Sequence, residues 1–206
     1  MILRPNINVD LIDRVYIDRD SKFLYTSHQF LDFAEVYHKR HTDNEHWKNL
    51  ILRGCEIAKL KQNDKFKVLD IGSGSGNSVF ATLDVLKKSE VYANDISPQL
   101  LKILVGISDD FPNLNNRIHP YSFDLHKDFF CDDIFDLIIG GSIIHHLIDP
   151  ENGLRSAAKS LKINGKIILF EPLEIGAHLM CAVYLHLLDV LYDNCDLKLP
   201  GQSKLC

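Results

Sequence analysis

The sequence predicts a doubly wound α/β fold, a mostly parallel sheet with helices on both faces. Three observations predict it. Strand-like and helix-like stretches alternate five times between residues 66 and 172, the order of successive parallel βαβ units. The first strand, residues 66–71, runs straight into a turn with glycine at 72, 74 and 76, and a helix follows. Leu137, Ile138 and Ile139 form a run that is apolar on both faces, as strands buried in a parallel sheet are.

The chain has 206 residues, room for one domain or one and a half. A hydrophobic share of 46% and a charged share of 25% are ordinary for a soluble globular protein. The net charge is −5 and no Lys/Arg cluster stands out, which argues against a nucleic-acid partner. The five cysteines, at 55, 131, 181, 195 and 206, are odd in number and scattered, with no CxxC pair. They read as reduced thiols of a cytoplasmic protein. The first residues hold no long apolar run after their charge, so no signal peptide is expected.

Residues 9–17 alternate Asp and Arg with Val, Leu, Ile and Tyr, the pattern of a short strand or of an arm over the domain. Residues 27–40 read as a helix with Phe30, Phe33, Ala34 and Tyr37 on one face. A second helix, capped by Asp43 or Asn44, runs to about residue 60 with Trp47, Leu50, Ile51 and Ile57 apolar. Two helices before the first strand fit a cap that closes over a ligand. His28, His38, His41 and His46 lie in this region. They read as solvated or packing histidines in preference to a metal site, because no metal-motif spacing appears.

Val68, Leu69 and Ile71 make the first strand β-rich and apolar. The helix behind the turn starts at residue 77 or 78, runs to 88, and points its free N–H groups into the loop. The spacing departs from the dinucleotide fingerprint G-x-G-x-x-G, whose third glycine would fall on Asn77. Asp70, inside the strand end, suits a ligand with a positive charge or several N–H donors better than a bare pyrophosphate. A second strand, 90–94, ends at Asp95. There a carboxylate would accept both hydroxyls of a ribose, or would cap the next helix. Ser97 and Pro98 already supply a cap and a first-turn proline. A helix over 99–111 leads to a third strand, 117–123, closed by Asp124.

The fourth strand, 135–140, is opened by Asp136, and Gly140, Gly141 and Ser142 then bring backbone close to the strand ends. Asp149 and Pro150 start the next helix. Residues 161–166 read as the C-terminus of that helix with an Asn-Gly turn, and 167–170 as the fifth strand, ending in Glu171 and Pro172. Gly72, Asp95, Asp124 and Gly140 therefore all fall at strand carboxyl ends, the edge where ligands of such sheets bind.

Residues 68–76 resemble the first motif of the class I S-adenosylmethionine (SAM)-dependent methyltransferases. Residues 94–98 resemble the family's second-strand ending, and residues 135–150 resemble a segment common in its small-molecule members. The resemblance covers about residues 66–172, half of the chain. It implies a Rossmann-like methyltransferase fold, SAM as cofactor and S-adenosylhomocysteine (SAH) as product. It assigns Asp70, Gly72, Ser73, Gly74 and Gly76 to the cofactor loop. Asp95 would hold the ribose, with Ile96 stacked on the adenine. Asp124 would accept from the adenine amino group, the Leu125 N–H would read the ring, and Gly140 would line the site. His145 and His146, just past the fourth strand, are candidate general bases, although His146 would alternatively pack under the following helix. Tyr37 and His38 are lesser candidates. No metal is implied.

After the fifth strand the chain departs from the family. Residues 174–193 read as a helix, and the thirteen residues that follow are too few for the usual antiparallel pair of strands. The sequence therefore reads either as part of a longer protein lacking its C-terminal region or as a reduced sheet whose open edge favours a homodimer. His178, His186 and Asp189 argue against a membrane span. The organisation expected is an arm and helical cap over 1–62 and a SAM-binding domain over 63–206. The loop after the fourth strand lacks the Asn/Asp-Pro-Pro-aromatic tetrapeptide of nucleobase amino-methylating enzymes. The function expected is methyl transfer to an O, N or C atom of a small molecule. The alternatives are a SAM-binding pseudo-enzyme acting as an interaction subunit, and a nucleotide-dependent oxidoreductase, which Asn77 and Asp70 argue against.

Overall fold

The computed structural model describes residues 2–20, 34–41, 44–172, 183, 185 and 186. Met1–Glu171 form one compact unit and Pro172–Cys206 another. The first holds a seven-stranded sheet. Its strands are β1 (Val9–Ile12), β2 (Val15–Asp18), β3 (Lys67–Ile71), β4 (Glu90–Asp95), β5 (Ile118–Ser122), β6 (Phe135–Gly141) and β7 (Leu161–Phe170), in spatial order β1-β2-β5-β4-β3-β6-β7. The five strands from β5 to β7 are parallel throughout, as the alternation predicts. The order reverses beside β3, so its carboxyl end lies at the switch point where ligands settle.

The helices are α1 (Ala34–His41), α2 (Asn44–Ile57), α3 (Asn77–Val85), α4 (Pro98–Asp109), a single turn α5 (Pro112–Asn115) and α6 (Pro150–Lys159). Caps set two of the starts. Ser97 Oγ accepts from the Leu100 N–H at 3.2 Å, and Asp149 Oδ1 accepts from the Asn152 N–H at 3.0 Å, each just before a proline.

Successive residues of β3 serve opposite faces. Val68 joins Ile51, Val79, Leu83, Leu101 and Leu104 in one buried cluster. Leu69 and Ile71 join Tyr92, Tyr121, Phe129, Phe135 and Ile138 in the other. This second core is aromatic, with the Phe123 and Phe129 rings stacked at 3.8 Å.

The segment expected as a strand or an arm is a hairpin. Asp13 and Arg14 form its two-residue turn with φ of 51° and 64°, which matches the strands' right-handed twist. β2 then pairs in parallel with β5. Arg14 bonds Asp109 at 2.7 Å, and the buried Asp18 carboxylate pairs with Lys127 Nζ at 2.8 Å.

Two local expectations are corrected. The Asn-Gly step does not end a helix, because α6 stops at Lys159 and β7 begins at Leu161. Asn164, at φ 68°, sits in an irregularity where Phe135 pairs with Leu161 and the next register pair is Leu137 with Lys166. Ile57, expected on the apolar face of the second helix, is 70% exposed at the last turn of α2. The helix start expected over residues 27–33, most of the helix expected over 174–193, and the tail after it lie outside the described residues. Among the described residues β7 is an edge strand, and Ile163 on it is 85% exposed. No helix among them is long and apolar enough to cross a membrane.

Candidate active site

The glycine turn is built as its spacing requires. Gly72, Gly74 and Gly76 take φ of 67°, 54° and 103°, a region that L side chains rarely adopt. They differ in what surrounds them. A Cβ at Gly72 would lie 2.5 Å from Ile143 Cγ1, and one at Gly76 would lie 2.4 Å from Leu104 Cδ1. A Cβ at Gly74 would meet nothing within 4 Å. The turn is therefore open at Gly74, while Gly72 and Gly76 let the loop seat against the β6 loop and α4. Ser73 is buried and holds the turn to β4, its N–H reaching the Asn94 carbonyl at 2.8 Å.

Asp70 is fully buried. Its Oδ2 accepts from Ser78 Oγ at 2.6 Å, and its Oδ1 has no partner. Burial pushes its carboxyl up to about 7, against the Ser78 bond and with help from the Asp95 charge. A folded-state value raised above the ordinary 3.8 makes Asp70 destabilising once it ionises. Its contribution is fully present below about pH 4 and is lost as pH rises through about 7. Urea midpoints across this window should therefore fall more steeply for the wild type than for Asp70→Asn. Parallel curves would mean that Asp70 does not titrate there.

Asp95 is half-buried at the end of β4. Its oxygens accept from the Ser97 N–H at 2.8 Å and the Gly74 N–H at 2.9 Å. The carboxylate thus caps the next turn and also pins the open glycine. Burial raises its pKa, opposed by those two N–H bonds. Ile96 is 40% exposed beside it, an open apolar surface.

Asp124 follows β5, and its Oδ1 accepts from the His126 ring Nδ1 at 2.6 Å. The Asp149 N–H donates to His126 Nε2 at 3.3 Å, so the proton of a neutral His126 ring sits on Nδ1 and is given to Asp124. Leu125 is buried in the aromatic core. Gly140 is packed inside the sheet, where a Cβ would lie 2.8 Å from Ile71 Cγ1, and Trp47 of α2 fills the space over Gly141.

Past β6 the chain makes a single 3₁₀ turn, Ile144–His146. The His145 and His146 ring centroids are 4.1 Å apart. His145 Nδ1 lies 2.7 Å from Glu171 Oε2, while Glu171 Oε1 accepts from the Ile143 and Ile144 N–H groups at 2.7 and 2.8 Å. Burial pushes the Glu171 carboxyl up, but the Ile144 N–H, the His145 ring and the Ile143 N–H outweigh it and hold the pKa below the usual value. His38 Nδ1 of α1 lies 2.8 Å from Ser75 Oγ in the glycine turn. Nothing is described of the Tyr37 side chain. Ser78, His126 and Glu171 are site neighbours that the sequence reading did not single out. Among the described residues no group of three or more His, Cys, Asp or Glu is placed to hold a metal ion.

A family model described as a methyltransferase domain matches residues 69–167, which span β3 to β7. The match likens this part of the chain to the class I SAM-dependent methyltransferases. The cofactor of that family is SAM. The chain is 26% identical over 156 residues to 2-methyl-6-phytyl-1,4-hydroquinone methyltransferase of Arabidopsis thaliana, covering 69% of this chain and 41% of that protein. It is 28% identical over 149 residues to the arsenite methyltransferase of Aquipseudomonas alcaligenes, covering 69% and 42%. The chain thus spans about two-fifths of the length of these curated relatives. A solved protein of Methanococcus maripaludis, given as a candidate SAM-dependent methyltransferase, shares the fold with a TM-score of 0.58 at 21% identity, over 82% of this chain and 78% of that one.

The methyltransferase domain's residues fit such a cofactor. A ligand carrying an ammonium and a sulfonium would find open backbone at Gly74 and an acid beside an exposed apolar side chain at Asp95 and Ile96, with the unpartnered Asp70 oxygen buried behind the turn.

Proposed function

We propose that this chain transfers the methyl group of SAM to an oxygen, nitrogen or carbon atom of a small molecule, leaving SAH. The observation that carries the reading is the convergence of the open Gly74, the buried Asp70, Asp95 and Asp124 on the carboxyl ends of β3, β4 and β5, with His145 and His146 just beyond β6. Bound SAM supplies a methyl on a sulfonium with a neutral thioether as leaving group. The chain's part is to hold the acceptor in line and close, which provides much of the acceleration.

In this reading Asp70, Gly72, Ser73, Gly74 and Gly76 form the cradle for the charged end of the cofactor. Asp95 takes the ribose hydroxyls and Ile96 one face of the adenine. Asp124 and Leu125 read the adenine edge, and Gly140 keeps the β6 end slim beside them. His145 or His146 removes a proton from a hydroxyl or ammonium acceptor.

The relatives named above are a hydroquinone and an arsenite methyltransferase, which favours a small acceptor over nucleic acid or protein. The acidic balance of −5 points the same way. The scattered cysteines support a cytoplasmic setting, and the apolar β7 edge supports pairing with a second copy of the chain. The test is incubation with methyl-labelled SAM and a panel containing a hydroquinone and arsenite. Label in a low-molecular-weight product is expected. A folded, SAM-binding chain that labels only protein or RNA would sink the small-molecule reading.

A further inference from the structure

We propose that Glu171 is a positioning residue that fixes the His145 ring with its proton on Nδ1 and so leaves Nε2 bare to take a proton from the methyl acceptor. The inference rests on the methyltransferase reading and deepens it.

Glu171 directly follows β7, whose Phe170 pairs with Gly141 at the end of β6. This brings a residue 26 positions away against the β6 loop. Its two oxygens have separate tasks. Oε1 takes the backbone N–H groups of Ile143 and Ile144, at 2.7 and 2.8 Å. Oε2 faces His145 Nδ1 at 2.7 Å. An ionised carboxylate only accepts hydrogen bonds, so the ring must donate, and the neutral tautomer is fixed as Nδ1–H. The same clamp holds Ile143, whose side chain fills the space over Gly72 at the mouth of the glycine turn. His145 follows two residues later with its side chain 47% exposed, able to meet a small molecule.

The proton balance is complete. The acceptor's O–H proton moves to Nε2, its freed electron pair bonds to the methyl carbon, and the carbon–sulfur pair returns to sulfur, cancelling the sulfonium charge. The imidazolium formed on His145 lies against the Glu171 carboxylate until the proton leaves to water.

Glu171→Gln is diagnostic because an amide cannot accept on both sides. With its oxygen on the two backbone N–H groups, its NH₂ points at Nδ1. The ring must then accept there and carry its proton on Nε2, where it is useless as a base. Long-range ¹H–¹⁵N correlation on the ¹⁵N-labelled full chain, at alkaline pH where imidazoles are neutral, reads this directly without cofactor or acceptor. The expected result is Nδ1–H for His145 in the wild type and in Glu171→Asp, which keeps an acceptor-only group, and a switch to Nε2–H in Glu171→Gln. Nε2–H in the wild type, or Nδ1–H persisting in Glu171→Gln, overturns the proposal. Should the variants not fold, the wild-type tautomer alone decides between these outcomes. Calorimetry of the wild type with SAM answers the separate question, since absence of binding overturns the cofactor reading whatever tautomer His145 holds.

Discussion

Asp95→Ala should weaken SAM binding about a hundredfold while leaving the chain folded. The carboxylate is held by the Ser97 and Gly74 N–H groups at 2.8 and 2.9 Å, each using one lone pair of one oxygen, so each oxygen keeps capacity for a further donor. Burial raises its pKa, which means that the charged form is under-solvated and gains from new donors. Two ribose hydroxyls are such donors. Hydrogen bonds to a charged group contribute about 1.5–3 kcal/mol each, and the lower end for two of them gives about 3 kcal/mol, or two orders of magnitude in affinity. The alanine variant also frees the Gly74 N–H, so part of the loss comes from a looser loop. Calorimetric titration with SAM and SAH reads the effect. An affinity within about threefold of the wild type would remove Asp95 from the cofactor site and send the ribose assignment elsewhere.

What the sequence made legible is local. Glycine at 72, 74 and 76, the acid ending β4 and the doubly apolar run of β6 are signals within a few neighbours, and each maps to its expected place. The site contacts that went unread join residues that only the closed sheet brings together. Glu171 reaches His145 across 26 positions and His126 reaches Asp149 across 23, with nothing in either stretch to announce a partner. Ser78 is closer, eight residues from Asp70, but an early-helix serine reads as an ordinary helix start.

The β1–β2 hairpin is hidden in the sequence for another reason. Its turn residues, Asp13 and Arg14, take the positive φ values usually supplied by Asn-Gly or Gly-Gly. Conversely, Asn164 and Gly165 are a strong turn dipeptide that sits within β7 as an irregularity. Turn chemistry reports a backbone conformation, and whether that conformation ends an element depends on the strand alongside it.

The glycine turn offers a sharper test, because two of its glycines should fail in different ways. At Gly72 an added methyl would meet Ile143 atoms at 2.5–2.8 Å in a backbone held at φ 67°. The left-handed conformation costs a non-glycine residue about 1–2 kcal/mol, and overpacking adds about 1–3 kcal/mol. Gly72→Ala should therefore lose about 3 kcal/mol in urea unfolding, a large part of the stability of an ordinary domain. At Gly74, with φ 54° and nothing within 4 Å, only the conformational part applies, and Gly74→Ala should lose about 1–2 kcal/mol. Its methyl would occupy the space left for ligand, so its SAM affinity should fall far more than its stability. Adding Ile143→Ala to Gly72→Ala separates the two contributions further. That change should recover the steric part and leave the backbone part, less what the cavity itself costs. Equal stability losses at the two glycines, with SAM affinity unchanged in Gly74→Ala, would mean that the open space at Gly74 is not where the cofactor lies.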